Sequence, residues 1–226
     1  MAKASAVTFR SSDNIELQGK VWTSRDAEEI DMCVVCVHPW TILGGAAGYM
    51  EHYGQNLVRT RQDIAVLTFD LRGSGRSGGS ASIFCFAEVN DVLGACRYMH
   101  DKFGKPIIIL ASSAGAAIGG TAAFQGKDQY DIIGYVGIGY TFGWFASLIF
   151  YPHFHYIRNF SRPKLFIQGS LDGFCSPSQL QSVADSMTDA EVFIINGVGH
   201  FELEHSTELS RVIATKLISF IESIKS

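Results

Sequence analysis

The sequence predicts an α/β fold with a mostly parallel sheet, on three observations. Short, continuous apolar runs recur along the chain, as strands covered on both faces require. Stretches of helical periodicity separate these runs. The chain opens on two alternating segments of the kind that pair as an antiparallel hairpin. Strands and helices in alternation are the pattern of parallel strands joined by helical crossovers. At 226 residues and 47% hydrophobic composition, the chain can build one sizeable core and is short for two. A single domain over residues 1–226 is therefore expected.

The elements follow in order. Ser5–Phe9 and Ile15–Trp22 make the hairpin. Met32–Val37, Ile64–Phe69, Pro106–Leu110, Ile132–Ile138, Lys164–Gln168 and Val192–Ile195 are the continuous runs, which brings the expected sheet to eight strands. Phe86, Val89, Leu93 and Cys96 repeat at helical spacing, as do Leu209, Val212, Ile213, Leu217, Phe220 and Ile221 near the C-terminus. Ser176-Pro177-Ser178-Gln179 supplies an N-cap, a proline at the first helical position and a Gln three residues beyond the cap, which starts another helix.

Composition excludes several classes of function. The formal net charge is −4 and the basic residues are scattered, so nothing attracts a nucleic-acid backbone. The first ten residues form no apolar leader, and Ala2 excludes myristoylation, so the expected compartment is the cytoplasm. Residues 107–125 and 132–152 carry no formal charge, but glycines break both, and each reads as a strand followed by a loop or Ala-rich helix instead of a transmembrane segment. Cys33 and Cys36 lie three apart within a strand run, which sends them to opposite faces and denies them a shared metal or disulfide. The cysteines are expected to be reduced, buried thiols. His153 and His155 are expected to face solvent, and no metal or cofactor is implied.

In a parallel sheet, ligands bind at the carboxyl ends of the strands. After Ile107–Leu110 comes Ala111-Ser112-Ser113-Ala114-Gly115, a run of small residues opening a helix. A serine flanked two positions away by small residues fits a tight strand-to-helix turn, where larger side chains clash. That places Ser113 at the apex, because choosing Ser112 puts Leu110 at a position requiring a small residue. After Lys164–Gln168 comes Gly169-Ser170-Leu171-Asp172, and after Val192–Ile195 comes Asn196-Gly197-Val198-Gly199-His200. A serine hydroxyl is too weak an acid to attack unaided at neutral pH. An imidazole can take its proton, and a carboxylate on the other ring nitrogen orients that imidazole. Ser113, His200 and Asp172 suit these three roles.

With those residues in place, the chain resembles an α/β-hydrolase. The matching stretches are His38-Pro39-Trp40, Asp70-Leu71-Arg72-Gly73-Ser74-Gly75-Arg76-Ser77, Ala111-Ser112-Ser113-Ala114-Gly115, Gly169-Ser170-Leu171-Asp172 and Gly199-His200, each following a strand in the family's order. The resemblance implies an α/β-hydrolase fold with an eight-stranded sheet, and a catalytic triad of Ser113, Asp172 and His200. It implies an oxyanion hole from the backbone NH groups of Trp40 and Ala114, with Thr41 the alternative to Trp40. Two departures stand out. Ala111 replaces the first glycine of G-x-S-x-G, and Pro39, which has no NH, replaces the glycine usual after His38. His38 is expected to be structural.

Family members often carry a lid after the sixth strand. Here only about 23 residues, 139–161, separate the sixth and seventh strands, too few for a substantial cap domain. This insertion is aromatic-rich, and three readings stand beside one another: a small apolar wall over the serine, a helix packed on the core, or a patch that meets a second copy or a membrane surface. Trp144, Phe145, Phe150, Tyr151 and Phe174 are the expected substrate-lining residues.

Gly73-Ser74-Gly75-Arg76-Ser77-Gly78 also spells a dinucleotide fingerprint, G-x-G-x-x-G. More loop follows it instead of a helix, and no acid stands at a strand end about 20 residues on, so it reads as scaffold. The expected function is a serine esterase that cleaves an ester or thioester of an apolar acyl group. The alternatives are a non-catalytic small-molecule binding or receptor protein on the same fold, a peptidase or acyltransferase with the same triad, and, resting on the glycine loop alone, a nicotinamide-dependent oxidoreductase. The oligomeric state is not legible.

Overall fold

The computed structural model describes residues 2–225, apart from the side chains of residues 144–147, 204, 205, 207 and 225. Its sheet has eight strands: β1 (Lys3–Arg10), β2 (Glu16–Thr23), β3 (Met32–Val37), β4 (Ile64–Phe69), β5 (Ile107–Ser112), β6 (Ile132–Ile138), β7 (Lys164–Gly169) and β8 (Ala190–Ile195). Their order is β1-β2-β4-β3-β5-β6-β7-β8. The β1–β2 and β2–β4 pairs are antiparallel, and every pair from β4 to β8 is parallel.

Strands β3, β4, β5 and β7 are buried along their whole length, which is why their sequences run apolar without alternation. Helices α1 (Gly48–Thr60), α6 (His200–His205) and α7 (Thr207–Lys225) cover one face of the sheet. Helices α2 (Phe86–Phe103), α3 (Ala114–Gly126), α4 (Trp144–Arg158) and α5 (Pro177–Ala184) cover the other. The α5 start carries its capping box, with Ser176 Oγ accepting from the Gln179 NH. Strand β8 departs from expectation. It is half-buried instead of covered on both faces, because it forms the edge of the sheet beyond β7.

Cys33 packs with Val35 and Val37 in the core on one face, and Cys36 packs with Val34 on the other. Burial pushes the Cys33 thiol from 9.0 up to about 12, and burial raises Cys36 in the same direction. An unfolded thiol ionises from about pH 9, whereas the folded Cys33 stays protonated until about pH 12. Its contribution to stability is therefore complete below pH 9 and lost as the pH climbs toward 12. At pH 11 the loss is about 2–3 kcal/mol. Thermal unfolding followed from pH 8 to pH 11 should show the midpoint falling less steeply in Cys33→Ala than in the parent protein.

The loop after β4 is built around Arg72. Its guanidinium donates to Asp91 Oδ1 (2.7 Å) and to Asp13 Oδ1 (2.7 Å), and its backbone NH donates to Asp91 Oδ2 (2.8 Å). Burial works against the charge on Arg72, and the hydrogen bonds to Asp91 and Asp13 more than offset it, leaving its pKa raised. Asp70 Oδ1 accepts from the Ala47 NH (2.9 Å), and Ser77 Oγ donates to the Asp70 carbonyl (2.6 Å). These bonds tie the glycine loop to α1, α2 and the opening hairpin. Asp70, Arg72 and Ser77 are thereby engaged in holding the loop, while Arg76 is exposed.

Candidate active site

Ser113 sits between the end of β5 and the start of α3, with φ 55° and ψ −127°. That backbone region is hostile to any residue with a Cβ, and the surrounding contacts hold it there. The Ser113 NH donates to the Ile138 carbonyl on β6 (2.8 Å), and the Ser113 carbonyl accepts from Ala116 (2.9 Å). The turn also brings Gly115 onto the end of β3: a Cβ added there would lie 2.2 Å from the His38 carbonyl oxygen. Ala111 is accommodated by a matching subtraction on α3. Gly119 faces it, and a Cβ on Gly119 would stand only 2.8 Å from the Ala111 Cβ. Ser112 belongs to β5, paired with Ile138, and is buried away from the apex.

Asp172 follows β7 and His200 opens α6, and the fold carries both to Ser113. Ser113 Oγ lies 2.8 Å from His200 Nε2, and His200 Nδ1 lies 2.6 Å from Asp172 Oδ2. Asp172 Oδ1 accepts from the NH groups of Phe174 (2.8 Å) and Cys175 (3.2 Å), so its carboxylate is fixed from both oxygens. A carboxylate at Nδ1 assigns the ring proton to that nitrogen and leaves Nε2 as the acceptor facing the serine hydroxyl. The Asp172 side chain has no solvent exposure and that of His200 has 5%. The Phe174 ring covers the imidazole at 4.5 Å between centroids, and Phe201 stands edge-on to it at 5.4 Å.

Ser113 opens onto two recesses. One, of about 130 Å³, is lined by Trp40, Leu43, Ala114, Thr141, Ile149, Phe150, Phe174, His200 and Phe201. The other, of about 190 Å³, lies toward Pro39, Gly45 and Tyr49. Trp40 and Ala114 thus border the serine together, whereas Thr41 lines neither recess. Ala114 is the first residue of α3, where the leading NH groups have no carbonyl partner within the helix and the dipole favours negative charge. The Trp40 carbonyl is engaged by the Leu43 and Gly45 NH groups.

Phe150 and Phe174 line the apolar recess as expected from their positions. Phe150 also packs edge-on against Trp40, with centroids 5.5 Å apart. Tyr151 does not line it. One residue further round α4 is about 100° away on the helix surface, and Tyr151 is 69% exposed. Trp144 and Phe145 have side chains outside the described residues. Leu43, Thr141 and Ile149 were absent from the expected lining, since only tertiary structure brings them to the serine. His153 also departs from expectation, because it is buried on α4. Its Nε2 donates to the Phe84 carbonyl (2.7 Å), and Nδ1 meets the Thr121 hydroxyl (2.7 Å).

His38 is buried between β3 and the glycine loop. Its Nε2 accepts from the Leu71 NH (3.0 Å), which leaves the proton on Nδ1 to donate to the Pro39 carbonyl (2.6 Å). Burial pushes its pKa down to about 4, so it stays neutral and structural. Burial also raises the Cys175 thiol to about 11, which keeps it protonated beside Asp172. Among the described residues no group of three or more His, Cys, Asp and Glu side chains could hold a metal. No described helix is long and apolar enough to cross a membrane.

A family model described as "Alpha/beta hydrolase family" matches residues 34–180, well over half of the chain. The chain belongs to the alpha/beta hydrolase family. Solved structures of alpha/beta hydrolases share its fold. An alpha-beta serine hydrolase homologue from Coxiella burnetii superposes with a TM-score of 0.76 at 19% identity, covering 94% of this chain and 97% of that one. A serine hydrolase without a lid from Xanthomonas campestris gives a TM-score of 0.74 at 17% identity, covering 95% and 93%. Est1E from Butyrivibrio proteoclasticus, solved with ferulic acid bound, gives 0.78 at 15% identity, covering 97% and 100%. No curated protein matches the chain. Among the described residues, α4 is the single helix between β6 and β7, and no cap domain interrupts the fold. The family and its fold support a hydrolase.

Proposed function

We propose that this alpha/beta hydrolase is a serine esterase, cleaving a carboxylic ester or thioester of a small apolar acid through an acyl-enzyme. The observation that carries the reading is the unbroken hydrogen-bonded line from Ser113 Oγ through His200 to Asp172, ending at an apolar recess. Ser113 Oγ attacks the carbonyl carbon while its proton passes to His200 Nε2. The carbonyl oxygen takes up negative charge and is held by the NH groups of Trp40 and Ala114. As the tetrahedral intermediate collapses, His200 returns the proton to the departing alcohol or thiol. A water molecule, deprotonated by His200, then attacks the acyl-enzyme and frees the acid and Ser113. Asp172 holds the imidazole in the required tautomer and stabilises its protonated form. The apolar lining and the esterases among the structural neighbours support an ester over a polar substrate.

Nitrophenyl esters from acetate to octanoate test this directly, with kcat/KM read along the series. Turnover concentrated in the short acyl chains is expected from a recess of about 130 Å³. Phe150→Ala should move the optimum to longer chains, raising the octanoate-to-acetate ratio of kcat/KM by roughly 10-fold. No turnover of any ester, together with tight binding of a small molecule, would replace the proposal with a non-catalytic binding protein. Cleavage of amides in preference to esters would replace it with a peptidase.

A further inference from the structure

The stretches that carry apolar side chains around Ser113 are poor in charge, with the exposed Arg76, Arg158 and Glu202 standing at their margins. Segments 38–46, 77–87, 139–157, 169–176 and 196–201 hold among them a single formally charged side chain, that of the buried Asp172. The same segments carry the exposed apolar side chains. Leu43, Ile83, Phe84, Leu148, Leu171 and Phe201 are between 55% and 78% exposed. Of the large apolar side chains that are exposed among the described residues, Val212 on α7 alone stands outside these segments. The segments also join one another: Leu43, Phe174 and Phe201 border the recess at Ser113, and His153 of α4 bonds the Phe84 carbonyl. Apolar surface gathered at the carboxyl end of the sheet with its charges confined to the margin, instead of scattered singly, marks a place where something docks.

We propose that this face seats the enzyme on a neutral lipid–water interface, with the mouth of the active site against the lipid. The choice of occupant rests on the esterase reading. Whatever covers this face also covers the approach to Ser113, so a second copy docked there would obstruct both sites. A lipid surface carrying esters instead delivers substrate at the covered opening. Charge points the same way. The protein has a formal net charge of −4 and presents no basic cluster here, so attachment relies on apolar burial, with no attraction to anionic headgroups. The chain lies on the interface without crossing it.

Flotation with phosphatidylcholine vesicles tests this without requiring turnover, so it fails or succeeds separately from the esterase assignment. The parent protein should float with the vesicles, keep floating in high salt, and float less well when anionic lipid is added. Ile83→Ser, Leu148→Ser and Leu171→Ser, combined, replace side chains that line neither recess. The triple variant should bind roughly 100-fold more weakly or worse, while kcat/KM on a soluble short-chain ester stays within about twofold, which also reports that it folds. Val212→Ser should float like the parent. The proposal is overturned if the parent protein does not float, or if the triple variant floats equally well. It is overturned in favour of a second copy if light scattering finds a dimer that the triple variant dissolves.

Discussion

Ser113→Ala should abolish ester turnover, lowering kcat on the order of 10⁴- to 10⁶-fold, with what remains coming from positioning and from the backbone NH groups. The proposed mechanism makes the fall that large, because in it Ser113, His200 and Asp172 act as one unit: without the hydroxyl, His200 Nε2, 2.8 Å away, has nothing to activate. Thermal stability should change little, since the substitution removes one oxygen at a site that opens onto the recesses. A fluorophosphonate probe provides the direct measurement. It should label the parent protein and Ser112→Ala and leave Ser113→Ala unlabelled. Labelling that persists in Ser113→Ala and disappears in Ser112→Ala would move the nucleophile to the neighbouring serine.

Asp91→Ala should cost about 3–5 kcal/mol of stability. The Asp91 side chain has no solvent exposure and that of Arg72 has 7%, so removing the carboxylate leaves a guanidinium buried against Asp13 alone, which is 41% exposed. For a chain of this length the unfolding midpoint should drop by roughly 10 °C. Replacing both partners, with Arg72→Met and Asp91→Leu, should recover most of the loss, because no stranded charge is left behind. A double substitution as damaging as the single one would mean that the loop depends on the Arg72 contact to Asp13, or on the NH bond to Asp91, more than on the buried pair.

The sheet was legible because its strands are buried on both faces. Runs such as Ile64–Phe69 and Ile132–Ile138 have no other reading at that length, and both appear with those bounds. Helix α1 was not read. It begins at Gly48 behind Ala47, with no capping side chain to mark its start, although its buried residues, Met50, Tyr53, Gly54, Leu57 and Val58, do recur at helical spacing. At the candidate site, the residues that stand directly after strands could be found, because topology sends all strand ends to one edge. The walls could not. Thr141 reaches the serine from the loop after β6 and Ile149 from α4, and the choice between Phe150 and Tyr151 turns on the rotation of that helix. His153 was misread for a related reason, since its two hydrogen-bond partners lie on α3 and on the loop before α2.

Position 113 sets durability against reactivity. Its backbone, at φ 55° and ψ −127°, is one that glycine adopts readily and serine does not. A glycine there would relax the turn, so a sturdier version of this protein would be one that lacks the proposed nucleophile. Selection for heat resistance alone would be expected to erode the elbow, and a library sorted on thermal tolerance needs a turnover screen beside it to keep Ser113 in place.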